Sequence, residues 1–427
     1  MNELKKLFYK EHRYLIVNFF NYGLYQASNY LVPLLTIPYI IRVVGLEKFG
    51  IISLAQSVVF YIRVGVDYGW SVLGVQFIAK AQTNIDKKSE VVSNIFSIQL
   101  ILTILGLFLL YILSFFVAEI QKEWFIFFAF FGLVPANMMA APWFYLGMEK
   151  VKFMNYINFS ARLLYIILIF GFLRTEGQYF WVPIFNSISM LLGGFISLLF
   201  MVLYFKIHIG IPSIERIKQY LIEGWPIFTS IFATNFYRNS NIIILAAFSS
   251  NEIVGIYAAA EKVVKVIQGI FAPITQTLFP YISRVSAESQ KKAKGLVKRL
   301  TFYMVIMTTM VVLILIISSD LIMKLLLNYS SDLGAVLLKI GSFVVLFGML
   351  NFVLGIIYMT NFGMKKQFML AVFIAGISNL AICLLLSKYF GATGAMVSFS
   401  FAEFMLSGII VFQILKFKNR ALATING

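Results

Sequence analysis

Apolar residues in this chain fall in long unbroken runs rather than in alternation. Reading the runs between polar breaks gives about twelve segments, at residues 17–41, 49–70, 92–117, 124–147, 153–173, 179–205, 225–248, 253–281, 299–318, 333–360, 367–387 and 392–415. An α-helix needs ~20 apolar residues, at ~1.5 Å rise each, to cross the hydrocarbon core of a bilayer. A transmembrane barrel would show alternating segments of ~10 residues instead. The pattern predicts an all-α polytopic membrane protein with about twelve transmembrane helices. Connections are short, and the longest polar stretch, Ser283 to Arg299, is too small to form a domain.

Composition sharpens this. Of 427 residues, 60% are hydrophobic and only 12% charged, more apolar surface than a soluble chain of this length can bury. Cys383 is the only cysteine, so neither an intrachain disulfide nor a thiolate metal site can form. His12 and His208, the only histidines, lie far apart in sequence, and no metal is expected. The N-terminal "MNELKKLFYKEHRY" resembles a signal-peptide n-region, but a full-length span follows with no small-residue cleavage signal. It reads as an uncleaved first helix. No Gly-Lys dipeptide occurs, which excludes a Walker A loop and a built-in ATPase. The sizeable outer loop of membrane glycosyltransferases and polymerases is lacking, so no enzymatic activity is expected.

The net charge of +17 follows loop topology. Twenty-three of the 35 Lys and Arg, from Lys5, Lys6, Lys10 and Arg13 to Lys416, Lys418 and Arg420, lie on the N-terminal side of the alternating spans; six lie on the other. This bias predicts cytoplasmic N- and C-termini and accounts for the basic residues without nucleic acid.

The two halves repeat. "GLEKFGIISLAQSVV" from Gly45 aligns with "SNEIVGIYAAAEKVV" from Ser250, placing Glu47 over Glu252, Gly50 over Gly255 and Ala55 over Ala260. "FIAK" at Phe77 and "LGMEKVKFM" at Leu146 find counterparts in "YISR" at Tyr281 and "FGMKKQFM" at Phe362, in the same order. Six helices precede the second copy, so the repeat is parallel. It predicts two six-helix lobes, residues 1–210 and 211–427. Paired repeats are a transporter signature.

Charges inside the spans supply the candidate chemistry. Arg162, Arg238, Glu261, Lys262, Lys265 and Glu403 fall near mid-span. Arg63 lies toward the cytoplasmic end of its span, with Asp67 at the boundary; Lys339, near the outer end, can snorkel. Arg63–Asp67 and Glu261–Lys265 are i,i+4 and can each close a turn of helix as an internal pair. Six cations face three acids, and a cavity with excess positive charge suits an anionic cargo, above all phosphate. Substrate contact is therefore expected from Arg63, Arg162, Arg238, Lys262 and Lys265. Asp67, Glu261 and Glu403 are left for ion coupling or structural pairing, and Glu403, with no charge within one turn, is the strongest candidate to titrate. Prolines within spans (Pro33, Pro38, Pro135, Pro142, Pro273, Pro280) suggest kinks.

Leu34 to Trp70, "LLTIPYIIRVVGLEKFGIISLAQSVVFYIRVGVDYGW", resembles bacterial polysaccharide flippases of the Wzx type, in the multidrug/oligosaccharidyl-lipid/polysaccharide (MOP) exporter superfamily. The resemblance rests on Pro38 to Arg42, Gly45, Gly50 and Asp67-Tyr68-Gly69. It implies two lobes around a cavity that opens to each side in turn, in the bacterial cytoplasmic (inner) membrane. The implied cargo is an undecaprenyl-pyrophosphate-linked oligosaccharide, the repeat unit of an O-antigen or capsule. It further implies coupling to a proton or cation gradient with no bound cofactor, and work alongside a polysaccharide polymerase and chain-length machinery. Two alternatives share the fold: a MATE-like drug or cation exporter, whose cavity should be anionic, and a teichoic-acid or peptidoglycan-precursor flippase.

Overall fold

Helix starts are written into the polar breaks. Asn84, Ser213, Ser289 and Ser331 each accept a hydrogen bond from the backbone N–H three residues on, those of Lys87, Arg216, Lys292 and Gly334, which satisfies a donor that the first turn leaves open. The computed structural model describes the backbone of residues 2–81 and 84–423. It describes side chains at 32–81, 84–235, 238–271, 274 and 278–417. The side chains of Lys5, Lys6, Lys10, His12, Arg13, Pro273, Lys418 and Arg420 lie outside these.

The helices are α1 (Asn2–Asp67), α2 (Trp70–Lys80), α3 (Ile85–Phe116), α4 (Ala118–Lys122), α5 (Trp124–Phe131), α6 (Leu133–Ala140), α7 (Pro142–Gly147) and α8 (Val151–Phe172). Then follow α9 (Trp181–Leu199), α10 (Ile214–Asn239), α11 (Asn241–Ala246), α12 (Asn251–Ile270), α13 (Ala272–Glu288), α14 (Gln290–Leu327), α15 (Asp332–Leu350) and α16 (Lys365–Ala423). Wider π-helical turns continue α9 at Phe200–Tyr204 and α15 at Asn351–Met359. No strand occurs among the described residues.

Among the described residues, eight segments are long and apolar enough to cross a bilayer. Two of them, Val32–Lys80 and Lys365–Phe417, hold 49 and 53 residues, about twice what one crossing needs. Each bends at a glycine: Gly45 (φ 79°) in α1 and Gly391 (φ 56°) in α16, conformations that a Cβ disfavours. Helices α10–α11 and α12–α13 correspond to the expected spans at 225–248 and 253–281. The chain is a multi-pass all-α membrane protein. Pro33 and Pro38 sit within continuous helix, whereas Pro142 opens α7 after a left-handed Ala141.

By packing, the chain divides into two compact units. One, the N-unit, is Tyr39–Ala246 with Ser250–Gly255; the other, the C-unit, is Met1–Pro38, Ala247–Ser249 and Ile256–Gly427. Residues 211–246 thus group with the first half, because α10 docks on the α1–α2 break. The Tyr68 hydroxyl donates to the Leu221 carbonyl at 3.1 Å, and its ring stacks on Phe228 at 4.6 Å. Gly224 admits that ring: a Cβ there would come within 2.8 Å of it.

Within the N-unit the first turn of α12 crosses α1 backbone to backbone. A Cβ on Gly50 would overlap the Asn251 carbonyl oxygen and approach its carbon to 2.7 Å; one on Gly255 would overlap the Leu46 carbonyl oxygen. These are the glycines that the repeat aligns, now found facing each other.

Candidate functional site

In the N-unit, Arg63 and Asp67 are half-buried at the end of α1. The Arg63 guanidinium lies over the Phe60 ring, 5.2 Å from its centroid. Its charge acts on Asp67, but the carboxylate also accepts from Ser71, through hydroxyl and backbone N–H, and from the Gly69 N–H. Asp67 thereby serves the open donors of α2, whose N-cap, Gly69, has no side chain to offer. The break at Tyr68 and Gly69, both with positive φ, is internal to the apolar segment Val32–Lys80.

Arg162 on α8 is half-buried, with its Nε inside the protein, while Arg238 near the end of α10 is exposed. Away from Leu221, Gly224 and Phe228, α10 carries exposed Trp225, Thr229 and Ser230, with Trp225 on the flank, its ring 5.7 Å from that of Phe228. The Thr229 hydroxyl donates to its own helix, at the Trp225 and Pro226 carbonyls, which leaves its oxygen outward as an acceptor.

The C-unit holds the other four. Glu261 on α12 is 1% exposed, and its carboxylate lies 3.2 Å from the Lys265 ammonium one turn on, the i,i+4 pair that the sequence allows. Lys262, half-buried, acts electrostatically on both. Glu403 on α16 is equally buried, and its carboxylate accepts from Asn351 Nδ2 at 2.7 Å. The same amide group donates to the Glu403 carbonyl at 2.9 Å, and Asn351 Oδ1 accepts from the Ser407 hydroxyl at 2.7 Å. Gln268, which donates to the Val344 carbonyl at 3.0 Å, presses against Gly348; a Cβ on Gly348 would lie 3.8 Å from the Glu403 carboxylate.

Asn351, Ser407 and Gln268 were not singled out from sequence. The available signal was weak: Asn351 is a lone amide within the 28-residue apolar segment Asp332–Met359. It opens the π-helical turn, a distortion that recurs at functional positions. Within each unit the acids are committed to partners, Asp67 to the α2 turn in the N-unit, Glu261 to Lys265 and Glu403 to Asn351 in the C-unit.

Residues 15–286 match the family described as "Polysaccharide biosynthesis protein". The chain belongs to that family. Arg63, Asp67, Arg162, Arg238, Glu261, Lys262 and Lys265 fall within the matched range, and Glu403 beyond it. Among its relatives is the "Putative O-antigen transporter" of Escherichia coli (strain K12). It is 28% identical over 386 residues, covering 90% of this chain and 93% of the relative. A multidrug resistance MATE family transporter of the MOP superfamily, solved inward-facing, is similar in structure at a TM-score of 0.73 and 12% identity, with 93% and 96% of the two chains covered. The lipid II flippase MurJ, in an inward closed conformation, gives 0.68 at 15% identity over 92% and 87%. The fold is that of the MOP superfamily, as Leu34–Trp70 suggested.

Proposed function

We propose that this family member is a transporter, not an enzyme, that flips undecaprenyl-pyrophosphate-linked oligosaccharide repeat units across the bacterial cytoplasmic membrane by alternating access. The product is a surface polysaccharide such as O-antigen or capsule. The observation that carries this reading is the charge balance at span depth. Five cations, Arg63, Arg162, Arg238, Lys262 and Lys265, stand against three acids, Asp67, Glu261 and Glu403. A formal excess of cations offsets the desolvation of a pyrophosphate head group, whereas a cation exporter of the same fold needs the opposite sign. The name of the Escherichia coli relative supports a glycan cargo. The exposed Trp225, Thr229 and Ser230 give sugar rings an aromatic face and hydroxyl acceptors.

The coupling gradient, protons or another cation, is assigned to Glu403, the buried carboxylate with an uncharged side-chain partner. Both termini lie in the cytoplasm by the charge bias of the loops, and a polymerase with its chain-length machinery would take over the flipped unit.

The double variant Arg162→Ala/Arg238→Ala, expressed in a host lacking the native gene, should lose most of its surface polysaccharide at unchanged membrane abundance. Normal export would refute the cationic site. Glu403→Gln should insert normally and lose gradient-driven export, and a fully active variant removes Glu403 from coupling.

A further inference from the structure

Helix α14 is 38 residues long, about 57 Å at helical rise, against a hydrocarbon core of ~30 Å. Its buried stripe runs the whole length, from Ala293 and Val297 through Met304, Thr308 and Val312 to Ser319. The opposite strip is exposed throughout and changes character along the axis. It begins with Lys291, Lys292, Lys298 and Arg299, passes through Phe302 and Tyr303, and continues as Met310, Leu313, Ile314 and Ile317. No charge occurs between Arg299 and Asp320.

An exposed strip that is aliphatic for the thickness of the core faces lipid tails. The aromatic pair marks the interfacial depth at which Phe gives way to Tyr, and the four cations lie just beyond, at headgroup level, on the same lipid-facing side. Cations that merely fix topology can point anywhere in a loop. These are held on one face by a helix whose other side is packed, and Lys294, also exposed, leans to the flank over the Phe362 ring at 5.5 Å.

We propose that Lys291, Lys292, Lys298 and Arg299 form a binding site for anionic phospholipid headgroups in the adjacent leaflet, the cytoplasmic one by the charge bias of the loops. Charge complementarity and continuity with the lipid-facing strip select a membrane lipid over a soluble acidic partner, which would have no reason to register with Phe302 and Tyr303. Each basic residue at the headgroup adds to the attraction, and high salt weakens it. The site is independent of the cargo.

The full-length protein in detergent is titrated with phosphatidylglycerol and, separately, with phosphatidylethanolamine while its melting temperature is followed. Phosphatidylglycerol should raise the wild-type melting temperature by several degrees and phosphatidylethanolamine should not. The variant Lys291→Gln/Lys292→Gln/Lys298→Gln/Arg299→Gln should need at least about tenfold more phosphatidylglycerol for the same shift, a floor below the roughly several-hundredfold that four such residues would contribute. Lys291→Arg/Lys292→Arg/Lys298→Arg keeps the charge and should respond as wild type, which separates binding from any folding defect of the neutral variant. Equal shifts with both lipids, or an unchanged response in the neutral variant, would overturn the assignment. A wild type indifferent to phosphatidylglycerol would do so in favour of a soluble partner.

Discussion

Replacing Lys265 by methionine keeps the length of the side chain and removes its charge from beside Glu261. At 3.2 Å and an effective dielectric of ~20, the lost attraction is about 5 kcal/mol. The Lys265 side chain is 30% exposed while that of Glu261 is 1% exposed, so solvent screens the cation and not the acid. The cost is therefore dominated by stranding a buried carboxylate, for which ~3–5 kcal/mol is usual. Lys262, already acting on Glu261, takes up part of the deficit and places the expected loss near the lower end, about 3 kcal/mol. Thermal unfolding in detergent, with membrane abundance as a second readout, should show Lys265→Met clearly below wild type and the double variant Glu261→Gln/Lys265→Met recovered. A single variant that melts like wild type, or a double variant no better than the single, would refute the ion-pair account.

Two further outcomes follow from the same kind of accounting. Gly50→Ala should lower the melting temperature, because its Cβ meets the Asn251 backbone, which cannot swing aside, at a cost of ~1–3 kcal/mol. Gly65→Ala, with nothing within 4 Å of the new carbon, should be neutral or slightly stabilising by ~0.5–1 kcal/mol, and equal melting of the two would discount the crossing. Asp67→Ala should cost ~0.5–2 kcal/mol, as lost helix caps do, whereas Asp67→Asn keeps an acceptor for the Gly69 and Ser71 N–H groups and should cost less. Identical melting of both variants would return Asp67 to a purely electrostatic role.

What sequence could show here was governed by range. Hydropathy reports the bilayer, so the spans and their number were legible, and the aligned Gly50 and Gly255 were visible before their contact was. The Glu261–Lys265 pair is local, one helical turn, and could be read directly. Glu403 and Asn351 are 52 residues apart, and nothing in either neighbourhood announces the other. The break at Tyr68–Gly69 was hidden because a left-handed tyrosine carries no propensity signal. Only the packing of Tyr68 on Phe228 and Leu221 explains why the chain accepts it. The outward face of α10 escaped notice because hydroxyl side chains that bond their own helix do not interrupt an apolar run.

The meeting of α1 and α12 is reciprocal to the residue. Gly50 abuts Asn251 and Gly255 abuts Leu46, and the repeat alignment carries Leu46 onto Asn251 by the same step that carries Gly50 onto Gly255. A patch that binds its own copy in this exchanged fashion is isologous, the relation found across the two-fold axis of a homodimer, here contained within one polypeptide. A larger side chain at either glycine strikes the backbone of the other copy, so substitution there is tolerated in both places or in neither.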